Sequence, residues 1–252
     1  MSVYGIYFSP TGSTEKIVKL IAGKFGDYEA VDLSRRDSEE KINFSEEDVC
    51  IVGVPSYGGR VPGAALERMK SFKGNQAKAV LTVVYGNRAY EDTLIELEDY
   101  LVERNFCCTA AIAAVAEHSI MHQFAAGRPD AKDKKELALY GEKIFHKIKD
   151  GQGCENIELP GKRPYKEYKG VPLKPSVKKQ CTKCGACVQL CPVGAIPEAA
   201  PDTVDKDKCI SCMRCIAVCP NKARVVNRVK LNVASMAMKK NCSNRKENEL
   251  FL

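Results

Sequence analysis

The stretch "VYGIYFSPTGSTEKI" (residues 3–17) decides how the first part of the chain folds. Its first six residues are mostly apolar, which is typical of a short buried strand. A hydroxyl-rich loop around one glycine comes next, and the start of a helix pattern follows it. A strand that passes through a short loop into a helix is the first half of a βαβ unit, the building block of parallel sheets. The stretch therefore predicts a parallel sheet with a polar loop at one edge.

The same alternation of strands and helices continues to about residue 150. Apolar runs predict strands at 3–8, 28–33, 49–54, 79–85 and 108–116, and helices are predicted at 13–25, 63–72, 90–104 and 131–149, the last with Asp130 as its N-cap. Continuous apolar runs indicate strands that are covered on both faces. The expected fold is α/β, with a doubly wound, five-stranded parallel sheet that binds ligands at the carboxyl ends of its strands.

The loop that begins at Ser9 has the chemistry of a phosphate site. Hydroxyls at Ser9, Thr11, Ser13 and Thr14 surround Gly12 where the helix begins. A helix N-terminus offers unpaired N–H groups and partial positive charge. The loop lacks the Gly-Lys-Ser/Thr ending of a nucleotide-hydrolysing P-loop, so it predicts one phosphate bound by neutral donors. The alternative is an ordinary helix start capped by Ser9 or Thr11.

Two further loops are predicted at the same edge of the sheet. The sequence "PSYGGRVP" (55–62) follows the third strand and "YGNRAY" (85–90) follows the fourth. Their tyrosines can stack on a flat ring, and their glycines let the backbone approach its polar edge. The three loops together favour a mononucleotide with an aromatic head. His118 follows the fifth strand, where a structural role is favoured over contact with the ligand.

Charge and composition divide the chain into two unlike parts. Residues 1–150 carry 20 Lys+Arg and 23 Asp+Glu (−3), whereas residues 151–252 carry 19 and 9 (+10). Four prolines and two glycines fall within residues 159–175, which is typical of a linker. The predicted organisation is a first domain at 1–158, a linker at 159–177, a second domain at 178–228, and a C-terminal tail at 229–252 that is expected to form at most a short helix.

Eight of the 13 cysteines belong to an internal repeat. The segments "CTKCGACVQLCPVGAI" (181–196) and "CISCMRCIAVCPNKAR" (209–224) superpose with a shift of 28 residues. Such spacing favours metal ligation over disulfides in a reducing compartment. Zinc is the competing metal, but its sites usually consist of two C-x2-C pairs. The remaining cysteines are expected to be unpaired and without a chemical role: Cys50, Cys107, Cys108, Cys154 and Cys242.

Residues 1 to about 150 resemble a flavodoxin, because Ser9, Thr11, Gly12 and Thr14 meet the pattern Ser/Thr-x-Thr-Gly-x-Thr of that family's phosphate loop. The resemblance implies FMN, with its phosphate on this loop and its isoalloxazine ring between the two later loops. It assigns the following residues to FMN: Ser9, Thr11, Gly12, Ser13, Thr14, Pro55, Ser56, Tyr57, Gly58, Gly59, Tyr85, Gly86, Asn87, Arg88 and Tyr90. The loop "YGNRAY" departs from the acidic third loop of a typical flavodoxin, and Arg88 would bring positive charge near the flavin.

Residues 178 to about 228 resemble the two-cluster 4Fe-4S ferredoxins, whose cysteine run is C-x2-C-x2-C-x3-C-P. In that family three cysteines of one run hold a cluster and the fourth reaches across to the other cluster. The resemblance implies one cluster on Cys181, Cys184, Cys187 and Cys219. It implies a second cluster on Cys209, Cys212, Cys215 and Cys191.

The whole chain resembles flavodoxin–ferredoxin fusion proteins, also called iron-sulfur flavoproteins, of anaerobes. This implies an electron-transfer protein that relays electrons between two 4Fe-4S clusters and a bound FMN. An electron carrier is favoured over a substrate-specific oxidoreductase, because no Gly-x-Gly-x-x-Gly follows a strand. The alternatives are a flavin-dependent reductase with the clusters as an internal wire, and a ferredoxin whose first domain is an FMN-free docking module.

Composition limits the partners and the location. The basic second half favours acidic redox proteins as partners, and the absence of stacking aromatics among its basic residues argues against nucleic acid. No apolar run reaches the roughly 18–20 residues of a membrane span, so membrane insertion is not expected. The N-terminus lacks the pattern of a signal peptide, which predicts a cytoplasmic protein.

Overall fold

The computed structural model of the chain describes residues 1–36, 42–154 and 157–252. The five predicted strands are present as β1 (Val3–Tyr7), β2 (Glu29–Asp32), β3 (Val49–Pro55), β4 (Lys78–Tyr85) and β5 (Cys107–Val115). They pair in parallel in the order β2-β1-β3-β4-β5. This order is that of the flavodoxin-like doubly wound sheets, which bind their ligand where the order reverses between β1 and β3. The predicted fold class is therefore confirmed.

Four helices cover the two faces of this sheet: α1 (Ser13–Ala22), α2 (Gly63–Met69), α3 (Thr93–Val102) and α4 (Ala131–Lys149). Alternate residues of each strand point to opposite faces. Val52 and Leu81 therefore pack in one core cluster with residues of α2 and α3, whereas Ile51 and Val80 pack in the other with residues of α1 and α4. Burial on both faces explains why the strands read as continuous apolar runs.

The start of α4 matches its prediction. Asp130 accepts a hydrogen bond from the backbone N–H of Asp133 at 3.0 Å, and the Asp133 carboxylate accepts one from the N–H of Asp130 at 2.9 Å. This reciprocal arrangement is a capping box. Asp133 is fully buried and also forms an ion pair with Arg128. The pair and the cap therefore hold the same end of the helix.

The C-terminal residues form more structure than the expected short helix. Helix α7 spans Arg228–Cys242, and strand β8 (Glu249–Phe251) pairs antiparallel with β5. Within the described residues this gives the main sheet six strands in place of five. The Asn248 side chain accepts a hydrogen bond from the N–H of Val115 at 2.9 Å, which ties the segment to the end of β5. The C-terminus therefore completes the first domain.

The second domain keeps the symmetry of the sequence repeat. Its elements are β6 (Pro175–Val177), α5 (Ala186–Gln189), α6 (Arg214–Ala217) and β7 (Arg224–Val226). The two helices occupy equivalent positions, 28 residues apart, and the two strands form an antiparallel pair. In the described part of the chain, no helix has the length and apolar character needed to span a membrane.

One expectation about the scattered cysteines is wrong. Cys107 at the start of β5 forms a disulfide with Cys154, and their Cα atoms lie 5.3 Å apart. The two residues are 47 positions apart in the sequence, and Cys154 lies just beyond α4. The sequence offers no spacing signal for such a pair, because the contact depends on how α4 returns along the sheet. Cys50, Cys108 and Cys242 are free, as expected, and all three are buried.

Candidate cofactor site

A cavity of about 790 Å³ lies at the carboxyl ends of the parallel strands. Residues from the loops after β1, β3, β4 and β5 line it. Its volume falls in the usual range of cofactor pockets, about 300–1,000 Å³. The position is the one that the crossover connections of a doubly wound sheet predict for a ligand.

The predicted phosphate loop forms one end of this cavity. Ser9, Thr11, Ser13 and Thr14 line it, whereas Gly12 does not. Gly12 is the N-cap of α1 and has a φ of 86°, a left-handed conformation that favours glycine. Gly12 therefore occupies the N-cap position that the alternative assigned to Ser9 or Thr11, although the Ser9 hydroxyl still bonds an N–H of the first turn. The helix start is left facing the cavity.

Ser9 supports the loop from behind. Its hydroxyl accepts a hydrogen bond from the N–H of Glu15 at 2.9 Å, and its own N–H donates to the Ser34 hydroxyl. Ser9 and Ser34 are both buried. The bonds fix the path of the chain between β1 and α1. The hydroxyls and the helix N-terminus together form a neutral donor set that fits a phosphate.

The walls of the cavity are formed by the two ring loops, which are the loops 55–62 and 85–90 that were predicted to contact a flat ring. Pro55, Ser56, Tyr57 and Gly58 line the cavity after β3, and Tyr85, Gly86 and Arg88 line it at and after the end of β4. Burial raises the pKa of Tyr85 to about 12 and raises the pKa of Tyr57 well above its usual value. Both phenols therefore stay neutral at physiological pH. Two aromatic side chains in apolar walls fit a flat ring system.

Three residues of the predicted ring loops lie outside the cavity lining. Asn87 is buried and donates hydrogen bonds to the carbonyl oxygens of Cys242 and Asn244, at 2.7 and 2.8 Å. Tyr90 packs on Tyr85 and donates to Glu249 at 3.0 Å. A Cβ on Gly59 would lie 2.1 Å from the Glu91 carboxylate. Asn87 and Tyr90 therefore anchor the C-terminal segment, and Gly59 leaves room for the Glu91 side chain.

Arg88 does not bring an isolated positive charge to the cavity. Its guanidinium lies 2.8 Å from the Glu91 carboxylate. Glu91 also pairs with Lys166 of the linker at 2.6 Å, and these two cations help hold the pKa of Glu91 below its usual value in spite of its burial. The group at this wall is therefore a cluster of three charges with one excess positive charge.

The loop after β5 contributes residues that sequence reasoning did not assign. Glu117, His118, Ser119, Ile120 and Met121 line the cavity. The His118 Nδ1 atom accepts hydrogen bonds from the N–H groups of Ile120 and Met121, both at 3.2 Å. Burial lowers the pKa of His118 to about 4, so the ring is neutral at pH 7. The histidine has the structural role that the sequence favoured, and it also faces the cavity.

The predicted linker and α7 cover the outer side of the cavity. Lys166 to Leu173 and the α7 residues Ala234, Ala237 and Met238 line it. Tyr168 packs against Gly58, where an added Cβ would lie 3.2 Å from its ring. The Asp92 carboxylate accepts hydrogen bonds from the backbone N–H groups of Lys162 and Lys166. The proline and glycine content indicated a linker, but it contained no signal that the segment packs over a ligand.

The cysteines of the first cluster set surround one small cavity. Cys181, Cys184, Cys187 and Cys219 all line it, and Cys219 reaches it from the second repeat. A cluster of eight iron and sulfide atoms needs its four thiolates farther apart than a single Zn²⁺ ion, whose Zn–S bonds are about 2.3 Å. Within the described residues, no three His, Cys, Asp or Glu side chains form a single-ion site. The four thiols that line this space supply the ligand number of a 4Fe-4S cluster.

The second cluster set is also assembled across the repeat. Burial raises the pKa of Cys212 to about 12. The neighbouring thiols of Cys191 and Cys209 also contribute to this rise. Burial likewise raises the pKa of Cys215 to about 12, with contributions from Cys212, Cys209 and Cys191. The four thiols are therefore close neighbours. Anionic sulfur in such a site requires compensating positive charge, which a bound metal centre supplies.

Backbone geometry repeats around the two sets. The non-glycine residues Lys183 and Ser211, 28 positions apart, have left-handed φ values of 54° and 55°. Gly185 and Met213, and Gly194 and Lys222, form two further left-handed pairs with the same offset. The N–H of Ala195 donates to Cys191 Sγ at 3.3 Å, and the equivalent N–H of Ala223 donates to Cys219 Sγ at 3.2 Å. Left-handed turns expose N–H groups to sulfur, as iron-sulfur sites require.

The second repeat reaches the large cavity. Ser211, which lies between Cys209 and Cys212, is buried and lines the cavity. The thiol of Cys212 adds to the raised pKa of Tyr57, after burial, and the thiol of Cys209 does the same for Tyr168. The cysteine set of the second repeat is therefore next to the aromatic walls of the cavity.

Comparison with known proteins identifies a family for the second domain. Residues 175–220, which include all eight repeat cysteines, match the 4Fe-4S dicluster domain family. A search of curated protein sequences found no significant match.

Three solved structures are similar to the first domain. They are a flavodoxin from the domain Archaea (16% identity, TM-score 0.45), rubredoxin oxygen:oxidoreductase from the anaerobe Desulfovibrio gigas (15%, 0.43) and a metal-soaked Flv1 flavodiiron core from Synechocystis sp. PCC6803 (19%, 0.43). The matches cover 59%, 59% and 60% of this chain. They span 99% of the archaeal flavodoxin but only 36% of each of the other two chains.

The strand order and the family match together define the architecture. The order of the strands is that of a flavodoxin-like sheet. Residues 175–220, in the second domain, match the 4Fe-4S dicluster domain family. Iron-sulfur chemistry in the second domain supports a redox role for the chain. The chain joins a flavodoxin-like α/β domain to a 4Fe-4S dicluster domain in one polypeptide, which is the arrangement of a flavodoxin–ferredoxin fusion.

Proposed function

We propose that this protein transfers electrons between two 4Fe-4S clusters and an FMN bound in the large cavity. FMN exchanges one or two electrons, whereas each cluster passes one at a time, so the pair joins one-electron carriers to two-electron chemistry. The observation that carries the proposal is the contact between the two halves. Ser211 of the second cysteine run lines the same cavity as the phosphate loop and the ring loops.

The cysteine assignment in this proposal follows the two sets. Cys181, Cys184, Cys187 and Cys219 would hold the outer cluster, which the shared small cavity supports. Cys209, Cys212, Cys215 and Cys191 would hold the inner cluster, which their mutual electrostatic contacts support. The order of electron transfer is then outer cluster, inner cluster and flavin, or the reverse. The transfer between the inner cluster and the flavin would take place next to Tyr57 and Tyr168, which line the cavity.

The flavin assignment follows the cavity lining. Ser9, Thr11, Ser13 and Thr14 would donate to the phosphate, with Gly12 setting the turn. Pro55 to Gly58, Tyr85, Gly86 and Arg88 would contact the ring. Gly59, Asn87 and Tyr90 would act indirectly, through the shape of these loops. The cover formed by Tyr168 and α7 would exclude water from the ring.

The proposed partner is an acidic one-electron carrier that docks near the outer cluster. Cys184 is exposed there, and the nearby Lys178, Lys179 and Lys222 are exposed as well. Positive charge around an exposed redox centre accelerates the encounter with an acidic protein. The rate of reduction by an acidic ferredoxin should therefore decrease as salt concentration rises, and a rate independent of salt would contradict this part. The proposal places the protein in the cytoplasm. A count of free thiols in the denatured protein tests whether the Cys107–Cys154 disulfide is present in protein from that compartment.

Composition and spectra of the anaerobically purified protein test the proposal. We expect about eight iron, eight sulfide and one FMN per chain. A Cys191→Ala variant should lose the inner cluster and keep the outer one, whereas Cys242→Ala, which changes a buried cysteine outside the repeat, should keep both. Zinc in place of iron, eight iron without flavin, or loss of the outer cluster in Cys191→Ala would each contradict the corresponding part.

A further inference from the structure

Arg224 is the most deeply buried cation of the second domain. It lies at the start of β7 with 2% of its surface exposed. Its guanidinium donates to the carbonyl oxygens of Thr203, at 3.1 Å, and Pro201. Its Nε atom has no hydrogen-bond partner within the described residues. In the same part of the chain no carboxylate lies within ion-pair distance of Arg224, so two neutral carbonyls are its only acceptors.

A buried charge without an opposite charge is strongly unfavourable. Three groups that can carry negative charge lie near Arg224. Cys219 lines the same small cavity, Cys215 lies on α6, which packs against β7, and Asp202 follows Pro201, whose carbonyl oxygen accepts from the guanidinium. Asp202 has a partner already, because its carboxylate lies 3.1 Å from Lys183. The remaining two are cysteines, one from each cluster set. Arg224 also lines the small cavity around Cys181, Cys184, Cys187 and Cys219.

The sequence repeat indicates that packing alone does not require an arginine here. With the shift of 28 residues, the equivalent position in the first repeat is Ile196. Ile196 is buried to a similar degree, with 3% of its surface exposed. An apolar side chain therefore fills this position in one half of the pseudo-symmetric domain, and a cation fills it in the other. The charge of Arg224 needs a reason beyond volume.

We propose that Arg224 is a positioning residue whose buried charge compensates both iron-sulfur centres and raises their reduction potentials. The inference rests on the proposed function, because it assumes that the two cysteine sets hold clusters. Each cysteine-ligated cluster is an anion and gains a further negative charge on reduction. A fixed cation near two such anions offsets part of their charge and stabilises the reduced form of each. The carbonyls of Pro201 and Thr203 hold the guanidinium in place.

Redox potentiometry of the holoprotein, monitored by the EPR signals of the reduced clusters, tests this role. The neutral variant is Arg224→Ile, which copies the side chain of the first repeat. Arg224→Lys keeps the charge, and Arg228→Gln removes an exposed charge from the start of α7 as a matched control. We expect Arg224→Ile to disfavour one-electron reduction of both clusters at least tenfold, which corresponds to 59 mV. Arg224→Lys should retain most of the potential, and Arg228→Gln should change it less than twofold.

The outcomes separate this role from a structural one. Loss of cluster content in Arg224→Ile but not in Arg224→Lys would also support it, because only the charged variant would then hold the anionic centres. Unchanged potentials in Arg224→Ile would overturn it, and so would equal losses in both variants, since these would indicate the hydrogen bonds and not the charge. Wild-type protein without iron and sulfide would instead refute the proposed function itself.

Discussion

At the scale of single residues, His118 connects the fold with the cavity. Its Nδ1 atom accepts two backbone hydrogen bonds, and burial lowers the pKa of the ring to about 4. An unfolded histidine has a pKa of about 6.5. Between pH 6.5 and pH 4, His118 is protonated in the unfolded chain but stays neutral in the folded chain. The free energy of unfolding therefore decreases as the pH falls from 6.5 towards 4.

This difference can be measured by denaturant titration at pH 7.5 and pH 5.5. His118 should account for a loss of about 1 kcal/mol between these two pH values. His118→Gln should remove that part of the pH dependence, because glutamine does not titrate. His146→Gln, which changes an exposed histidine of α4, should leave it unaltered. The same pH dependence in wild type and His118→Gln would show that this ring does not titrate as its burial requires.

Residue types alone predicted much of the site. The phosphate loop at Ser9 and the metal-binding cysteine runs could be predicted, because each concentrates one kind of ligating group in a short stretch. The segments that cover the outer side of the cavity could not be predicted. Tyr168 and Met238 are ordinary packing residues, and their position over the cavity depends on tertiary contacts. Arg224 could not be distinguished from the other basic residues of the second half, because sequence carries no direct signal of burial.

At the scale of elements, β8 is a strand of the main sheet that sequence reasoning missed. It has three residues, too few for alternation to indicate a strand. Its stability comes from pairing with the edge of β5 and from Asn248, which accepts a hydrogen bond from Val115 and donates one to Glu136 at 2.6 Å. The predicted strands and helices, by contrast, are long apolar runs and periodic segments that reveal themselves locally.

Asn248→Ala tests how much this attachment contributes. It would leave the buried N–H of Val115 without its acceptor, and an unpaired buried polar group costs about 1–3 kcal/mol. We expect the free energy of unfolding to decrease by about that amount. The matched control is Asn244→Ala, because Asn244 is exposed and only its backbone carbonyl is used. It should change stability by about 0.5 kcal/mol or less. Similar effects of the two variants would mean that β8 contributes little.

At the scale of the whole molecule, the two domains share one cavity. The linker contacts the first domain through Asp92 and Asp99, and Arg68 of α2 donates to the carbonyl oxygen of Pro192 in the second domain. These contacts keep the second cysteine run beside the flavin-sized space. In this structure the second cysteine run and the proposed FMN site are therefore neighbours.

The most direct test of this account is the rate at which the flavin is reduced after rapid anaerobic reduction of the clusters, measured over a tenfold range of protein concentration. Transfer within one chain predicts a single rate constant that does not change with concentration. That rate should be lost in Cys191→Ala, which lacks the inner cluster in this account. A rate that rises in proportion to protein concentration, or one that survives in Cys191→Ala, would contradict an internal path from the clusters to the flavin.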